Sequence, residues 1–196
     1  MQRDELEELH FITLVKNVPS ILKLGILSHN AVAKIAHESI AMSEVQDRRA
    51  KVKVPGGRAL HEYANLYFHA RNPMMYKRRN RHAEIAVLRV RPALLDLPGV
   101  VITDGNASSD YIRFAAAPGG LAIVDRERTF ALNWTSNNQI EYFRNACAKC
   151  AEVLVPERVD PSFVFGAYVS NEETQRSLAE TVPGLDVSVN RELFFR

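Results

Sequence analysis

A glutamate, Glu152, stands at the start of the apolar stretch Ala151–Pro156. Burying a carboxylate without a partner is costly, so this pattern leaves two interpretations. Charged side chains are mostly exposed, and on that ground alone Glu152 points to solvent at the end of a strand. If it faces a cleft with a partner instead, its carboxylate can stabilise positive charge or accept a proton.

Basic residues concentrate in one segment. Residues 46–91 hold 12 Lys and Arg against three acidic residues, whereas the whole chain has a net charge of only +2. Such a segment is typical of a surface that binds phosphate or nucleic acid, and it also fits a solvated loop. It contains the pair Arg48 and Arg49, and the stretch Tyr67–Tyr76, where aromatic residues alternate with methionine and arginine. That mixture suits stacking on nucleic-acid bases, although most aromatic residues in such a stretch are simply part of the core.

Several other chemistries are excluded by their missing motifs. There is no GxGxxG and no P-loop, and the six histidines lack metal-ligand spacing, so we expect no metal. Cys147 and Cys150 fall late in a predicted helix, which favours buried thiols in a reducing compartment over redox catalysis. No stretch is long enough to span a membrane, and no secretory signal is visible. We expect a monomer in the cytoplasm.

The 196 residues suit a single domain, 1–196, with a poorly patterned tail from about 183. Short strands, few long helices and no regular βαβ alternation predict a mixed α+β fold. Strands are predicted at Leu9–Val15, Asn65–His69, Glu84–Val90, Val100–Thr103, Leu121–Asp125, Ala151–Val155 and Phe163–Val169. Helices are predicted from Asn17 to Gly25 and at Ser39–Val52, Asn137–Lys149 and Glu172–Leu178. Within the tail, Leu193–Phe195 is expected to dock onto the body.

Five stretches in this order resemble the DarT-type DNA ADP-ribosyltransferase toxins. They are HFITLVKNVPSILKLGILS (10–28), QDRRAKVKVPGG (46–57), LHEYANLYFHARNPMMY (60–76), TDGNASSDYIRF (103–114) and KCAEVLVPERVDP (149–161). The resemblance implies a compact ADP-ribosyltransferase fold with a split, curved β-core and short helices. It also implies NAD as co-substrate, no metal, transfer of ADP-ribose to a base of single-stranded DNA, and a macrodomain antitoxin that reverses the mark.

The resemblance carries roles onto particular residues. Glu152 matches the catalytic glutamate, and Arg49, with Arg48 as the alternative, matches the active-site arginine. The implied NAD-binding residues are His10, Phe11, Thr13, Asn17, Gly25, Arg48, Tyr67, Met75 and Tyr76. The first strand departs from the usual Y-H-I-T-H, with Phe11 and Leu14 at the two histidine positions. Asn106 replaces a common histidine, which points to the guanine-modifying branch, with thymine as the alternative.

The DNA-binding residues implied by the resemblance come from two regions. The segment Asp125–Lys149 precedes Glu152, where such transferases carry the substrate-recognition loop, and the basic segment is expected to follow the DNA backbone. The candidates are Asn106, Trp134, Asn137, Asn138, Tyr142, Lys77, Arg78 and Arg79. Two other hypotheses remain open: an enzyme of this fold that modifies RNA or protein or hydrolyses NAD, and a nucleic-acid-binding module without catalysis.

Overall fold

The computed structural model describes residues 1–195. The strands are β1 Leu9–Leu14, β2 Ile26–Leu27, β3 Tyr63–Tyr67, β4 Ile85–Val90, β5 Val101–Thr103, β6 Phe114–Ala116, β7 Glu152–Pro156, β8 Arg158–Val159, β9 Val164–Val169 and β10 Asp186–Val189. The α-helices are α1 Val18–Leu24, α2 His29–Val32, α3 Ser43–Arg49, α4 Pro73–Lys77, α5 Arg126–Phe130, α6 Gln139–Ala148 and α7 Glu172–Thr181. Each of these helices is too short to cross a bilayer, and none in the described residues is a candidate membrane span.

The main sheet has eight strands in the order β10-β9-β4-β1-β3-β7-β5-β6. Only β9 and β10 run parallel, and every other pairing in this sheet is antiparallel. The strand β4, apolar on both faces, pairs with β1 over its whole length from Ile85 to Val90 and with β9 on its other side. A two-stranded sheet of β2 and β8 completes the mixed α+β fold, which confirms the predicted fold class.

The structure corrects the predicted elements at two places. The strand predicted at Leu121–Asp125 does not form, because Gly119–Ile123 is a short 3-10 turn that follows Pro118 and holds two glycines that weaken strand pairing. The helix predicted at 39–52 forms only over α3. In the loop before it, the carbonyl groups of Ile40 and Ala41 accept hydrogen bonds from the guanidinium of Arg78 instead of from a following helical turn.

The tail contains structure that the sequence pattern does not predict. The strand β10 joins the sheet edge through Val187 and Val189, which pair with residues of β9. The docking of Leu193–Phe195 is confirmed, because Leu193 and Phe194 are buried against Ile12, Leu14 and Val87. That residues 1–196 form one domain stays a prediction.

A half-buried ion pair joins three strands of the sheet. Glu8 accepts a hydrogen bond from Nε of Arg89 on β4 at 2.7 Å and contacts Nε2 of His10 at 3.0 Å, while Arg89 also reaches Asp186 on β10. Burial by itself raises the pKa of the Glu8 carboxyl, but the hydrogen bonds from His10 and Arg89 outweigh it and lower that pKa to about 2.

This ion pair predicts a specific acid sensitivity. Because the folded-state pKa of Glu8 lies below its ordinary value of 4.5, its stabilising contribution is complete above pH 4.5 and is lost as pH falls toward 2. Glu8→Gln should therefore lower the free energy of unfolding at pH 7 and bring it close to that of the wild type at pH 2.5. Urea unfolding at both pH values tests this, and an equal deficit at both would contradict the assignment.

Candidate active site

A cleft of about 380 Å³ opens beside the first residues of β7. Its walls come from β1, α1, α3, β3, α4 and the loop 33–42, so it collects side chains from distant parts of the chain. Ten residues that the sequence singled out line it: Phe11, Thr13, Asn17, Gly25, Arg48, Arg49, Tyr67, Lys77, Asn106 and Glu152.

Glu152 lies in this cleft with its side chain buried, so the interpretation that it points to solvent is wrong. It is the first residue of β7 and lies opposite Tyr67 of β3. Its backbone N–H donates to Oγ1 of Thr103 at 3.1 Å, and that hydroxyl donates to the carbonyl of Gly105 at 2.7 Å. These bonds between strands fix where the carboxylate enters the cleft.

The partner of the carboxylate is Arg49, the last residue of α3. Its Nη1 lies 3.0 Å from both Oε1 and Oε2 of Glu152, and both side chains are more than 90% buried. The backbone N–H of Ala107 adds a further hydrogen bond to Oε1 at 3.3 Å. Arg48 is exposed although it also lines the cleft, so the structure brings only Arg49 to the glutamate.

Two further groups beside Glu152 are held neutral. Burial, and next the charge of Glu152, raise the pKa of the Tyr67 phenol well above its ordinary value. Burial likewise raises the pKa of the Cys150 thiol, which makes it a poor nucleophile at neutral pH. The arrangement therefore offers one carboxylate, one guanidinium and one neutral phenol to a ligand.

The first strand and α1 supply polar groups to the opposite wall. Asn17 stands at the N-cap position of α1, but its amide is used in the cleft wall instead of capping the helix. Its Nδ2 donates to Oγ1 of Thr13 at 3.3 Å and to the carbonyl of Glu38 at 2.9 Å. The ring of Phe11 packs against the core beside them and lines the cleft.

Gly25 ends α1 in a conformation that only glycine adopts readily, with φ 89° and ψ 175°. A Cβ there would stand 2.2 Å from the carbonyl oxygen of Val159. Gly25→Ala should therefore lower the free energy of unfolding by about 3 kcal/mol or more. Gly56→Ala is the matched control, since its φ is +67° but a Cβ there meets open space, and it should cost about 1–2 kcal/mol. Urea unfolding measures both, and equal costs would contradict this account.

Three residues expected to bind NAD lie outside the cleft lining of the described chain. His10 is buried elsewhere, with Nδ1 accepting from the N–H of Ala70 at 3.0 Å and Nε2 at Glu8. Met75 is fully buried in the core, and its neighbour Met74 lines the cleft instead. Tyr76 is 43% exposed on the outer side of α4. Successive residues of a helix point in different directions, which explains why Met74 faces the cleft while Met75 faces the core.

The expected DNA-binding residues are likewise divided between the cleft lining and positions outside it. Lys77 and Asn106 line the cleft, whereas Arg78 donates to the carbonyls of the loop 33–42 and holds it in place. Arg79 lies over the ring of Tyr76 at 4.4 Å. Trp134 is buried and donates from Nε1 to Oη of Tyr142 at 3.4 Å. Asn137 is exposed, and the side chain of Asn138 caps α6.

The cleft also contains a histidine pair that the sequence interpretation missed. The rings of His29 and His61 stack with centroids 4.0 Å apart. Burial, followed by neighbouring positive charge that includes Arg49, lowers the pKa of both. Nε2 of His61 is buried and lacks a hydrogen-bond partner within residues 1–195. The two residues are 32 positions apart, and no local pattern in the sequence predicts their contact.

A buried lysine anchors the segment that precedes Glu152. Nζ of Lys149 donates to the carbonyls of Thr129 at 2.9 Å and Ala131 at 2.7 Å, and it lies 2.9 Å from Nδ1 of His69. Burial lowers the pKa of Lys149 to about 8 and that of His69 to about 3. Lys149 thus ties the loop after α5, which leads to Trp134, to the end of β3.

Comparison with known proteins places the chain in a family. A family model described as ssDNA thymidine ADP-ribosyltransferase, DarT, matches residues 10–195. The chain belongs to the DarT family. The family-level resemblance is therefore confirmed, whereas the guanine-modifying branch has no support in these matches, since the family description names thymidine.

Relatives of this DarT-family chain include larger proteins. It is 33% identical over 194 residues to a DNA ADP-ribosyl transferase–DNA ADP-ribosyl glycohydrolase fusion protein of Thermosipho africanus, covering 93% of this chain and 47% of the fusion protein. It is 41% identical over 71 residues to a DNA ADP-ribosyl transferase of Thermus sp., covering 35% of this chain and 34% of that protein. The chain thus spans about half the length of the fusion protein, and the match to the Thermus protein covers about a third of each chain.

Solved structures of DarT proteins share the fold. Thermosipho africanus DarTG in complex with ADP-ribose superimposes with a TM-score of 0.83 at 28% identity, covering 96% of this chain and 51% of that one. Thermus sp. 2.9 DarT in complex with ADP-ribosylated ssDNA gives a TM-score of 0.83 at 23% identity, covering 97% of both chains. The expectation of a fold like that of these transferases is confirmed.

Proposed function

We propose that this protein transfers ADP-ribose from NAD to a base of single-stranded DNA. The observation that carries the proposal is the buried pair of Arg49 and Glu152 in a cleft of about 380 Å³. A buried charge pair adds little to stability compared with apolar packing, so its presence in a cleft favours a chemical role. Membership of the DarT family supports the same activity.

The cleft has the size and the donors for NAD. Its volume falls within the range of small-molecule and cofactor sites. The buried, unpartnered Nε2 of His61 among the described residues is a polar atom that a ligand would satisfy. We propose that Thr13, Asn17 and Tyr67 hold the co-substrate, with Arg48 and Lys77 at its phosphates. Among the described residues, no cluster of His, Cys, Asp and Glu suits a metal ion.

The residues of the cleft divide the chemistry between them. When bound, NAD supplies an ADP-ribose group that separates from nicotinamide as positive charge builds on the ribose. The buried carboxylate of Glu152 stabilises that charge electrostatically and can accept the proton that the attacking base loses. Arg49 holds the carboxylate through Nη1. In the described residues its hydrogen bonds use only this nitrogen, so Nε and Nη2 remain as donors for a phosphate or for the base.

We propose thymidine as the modified base, following the family description. The guanine expectation was based on Asn106, but its Oδ1 already accepts from the N–H and the hydroxyl of Ser108 at 3.0 and 2.9 Å. The remaining Nδ2 is a donor, which pairs with O4 of thymine as well as with O6 of guanine. Asn106 therefore gives no preference for guanine.

The wider role is part of the same proposal. The Thermosipho relative is named as a fusion of a transferase with a DNA ADP-ribosyl glycohydrolase. We propose that this chain is the toxin of a toxin–antitoxin pair, that its antitoxin is a macrodomain protein which removes the mark, and that it acts as a monomer in the cytoplasm.

Mass spectrometry of oligonucleotides tests the activity and the base together. Four single-stranded oligonucleotides of mixed sequence, each lacking one of T, G, C and A, are incubated with the protein and NAD. We expect added ADP-ribose on every strand except the one without T. Loss of the adduct only on the strand without G would replace thymidine by guanine. Free ADP-ribose with no adduct on these or on mixed-sequence strands would overturn DNA as the acceptor.

A further inference from the structure

Five aromatic side chains outside the cleft form a connected line, which we call the aromatic track: Phe195, Tyr76, Trp134, Tyr142 and Phe143. The ring centroids are 5.2 Å apart for Phe195 and Tyr76, 5.9 Å for Tyr76 and Trp134, and 5.6 Å for Tyr142 and Phe143. Trp134 joins Tyr142 through the hydrogen bond from its Nε1. Residues from α4, the loop after α5, α6 and the tail thus meet on one surface.

The track is open to solvent over most of its length. Tyr76, Tyr142 and Phe143 are 43%, 37% and 60% exposed, and only Trp134 is buried. Leu132 and Ile140, in the same stretch of chain, are 69% and 62% exposed. Single exposed apolar residues are ordinary, but a contiguous set of them marks a surface that binds something.

Arginines lie directly on the rings. The guanidinium of Arg79 is 4.4 Å from the ring centroid of Tyr76, and that of Arg71 is 4.0 Å from the ring centroid of Phe195. Arg191 joins them around a depression of about 530 Å³, whose lining also includes Phe194 and one acidic residue, Glu192. Arg191 pairs with Glu172 at 2.6 Å, so Arg71 and Arg79 are the arginines that present unpaired positive charge there, within the contacts of the described residues. Arginine interleaved with aromatic rings is the composition that binds unpaired bases together with their phosphates.

The helix α4 connects the track with the cleft. Met74 and Lys77 of this helix line the cleft, whereas Tyr76 lies on the track. The helix α4 thus presents residues to both surfaces, and Arg79, which lies over the ring of Tyr76, follows shortly after its end. At the other side, Lys149 anchors the carbonyls of Thr129 and Ala131, just before the loop that carries Trp134.

We propose that the aromatic track binds the unpaired bases of the DNA strand that flank the target base. The proposal rests on the proposed function, since it assigns a second surface to the same substrate. The arginines over the rings favour a polyanion as the occupant rather than an apolar protein face, because they supply positive charge where the bases stack. Duplex DNA hides its base faces and should bind the track poorly.

Intrinsic fluorescence gives a direct test, because Trp134 is the only tryptophan of the chain. The probe is a mixed-sequence single-stranded 20-mer, compared with the same sequence as a duplex, without NAD. We expect the single strand to quench Trp134 and to bind more tightly than the duplex. Phe143→Ser and Tyr76→Ser should each weaken binding by about 5- to 150-fold. Leu97→Ser is the matched control, an apolar residue of similar exposure outside the track, and it should leave the dissociation constant unchanged.

The outcomes separate this proposal from the proposed function. If the wild type modifies the 20-mer and neither track variant changes binding or the KM for DNA, the track proposal is overturned and the function stands. If the variants weaken binding but no strand is ever modified, the track stands as a nucleic-acid surface and the function falls. Equal affinity for duplex and single strand also contradicts base stacking. Circular dichroism of each variant confirms folding, and Phe143→Ser serves as the principal variant because its ring is the most exposed.

Discussion

Glu152→Gln should lower the rate of ADP-ribose transfer to an oligonucleotide by about 10²–10⁴-fold. Glutamine has nearly the same shape but no negative charge, so it neither stabilises positive charge on the ribose nor accepts a proton. The change also leaves the buried guanidinium of Arg49 beside a neutral amide, which should lower the free energy of unfolding by up to about 3–5 kcal/mol. Rates are therefore compared at a temperature where both proteins are folded by circular dichroism.

Glu157→Gln is the matched control for this substitution. Glu157 follows β7 directly and also pairs with an arginine, Arg58, but its side chain is 71% exposed. An exposed ion pair contributes little, so the control should keep its activity and change the free energy of unfolding by at most about 1 kcal/mol. A folded Glu152→Gln protein with activity within threefold of the wild type would rule out a catalytic role for this carboxylate.

Arg49→Lys should lower the transfer rate by about 10²–10³-fold, whereas Arg48→Lys should change it little. Lysine keeps the positive charge but replaces a planar set of donors by a single ammonium, which cannot contact the carboxylate and a ligand together in the same way. Arg49 is buried against Glu152, and Arg48, one residue earlier, is exposed. The pair of variants thus compares the same chemical change at adjacent positions.

Single-turnover rates and the Tm shift caused by NAD separate the roles of the two arginines. We expect Arg48→Lys to weaken the NAD-dependent Tm shift modestly, since Arg48 lines the cleft from its exposed side. For Arg49→Lys the loss should appear mainly in the rate. If Arg48→Lys proved the more damaging change, the assignment of the active-site arginine from burial would be wrong.

The sequence predicts those parts of the fold that depend on local patterns. Apolar alternation and clear end signals locate β1, β4, α1 and α6 within a few residues. The short edge strand β10 has only two apolar residues, and its place depends on β9, so no local pattern reveals it. Gly119–Ile123 shows the opposite error, since apolar residues occur there without strand pairing.

The candidate site depends on contacts between distant residues, which explains what the sequence left open. Arg49 and Glu152 are 103 positions apart, and only the folded chain shows that Arg49, and not Arg48, reaches the carboxylate. Packing likewise turns Met74 toward the cleft and Met75 into the core. His10 was expected at NAD, but its two ring nitrogens are taken by Glu8 and Ala70.

The most direct test of the central claim is the intact mass of a thymidine-containing single-stranded oligonucleotide after incubation with the protein and NAD. The Arg49–Glu152 site predicts one added ADP-ribose per strand with the wild type, a much slower reaction with the same sequence as a duplex, and no detectable adduct with Glu152→Gln over the same time. An unmodified oligonucleotide, or equal modification by wild type and Glu152→Gln, would contradict it.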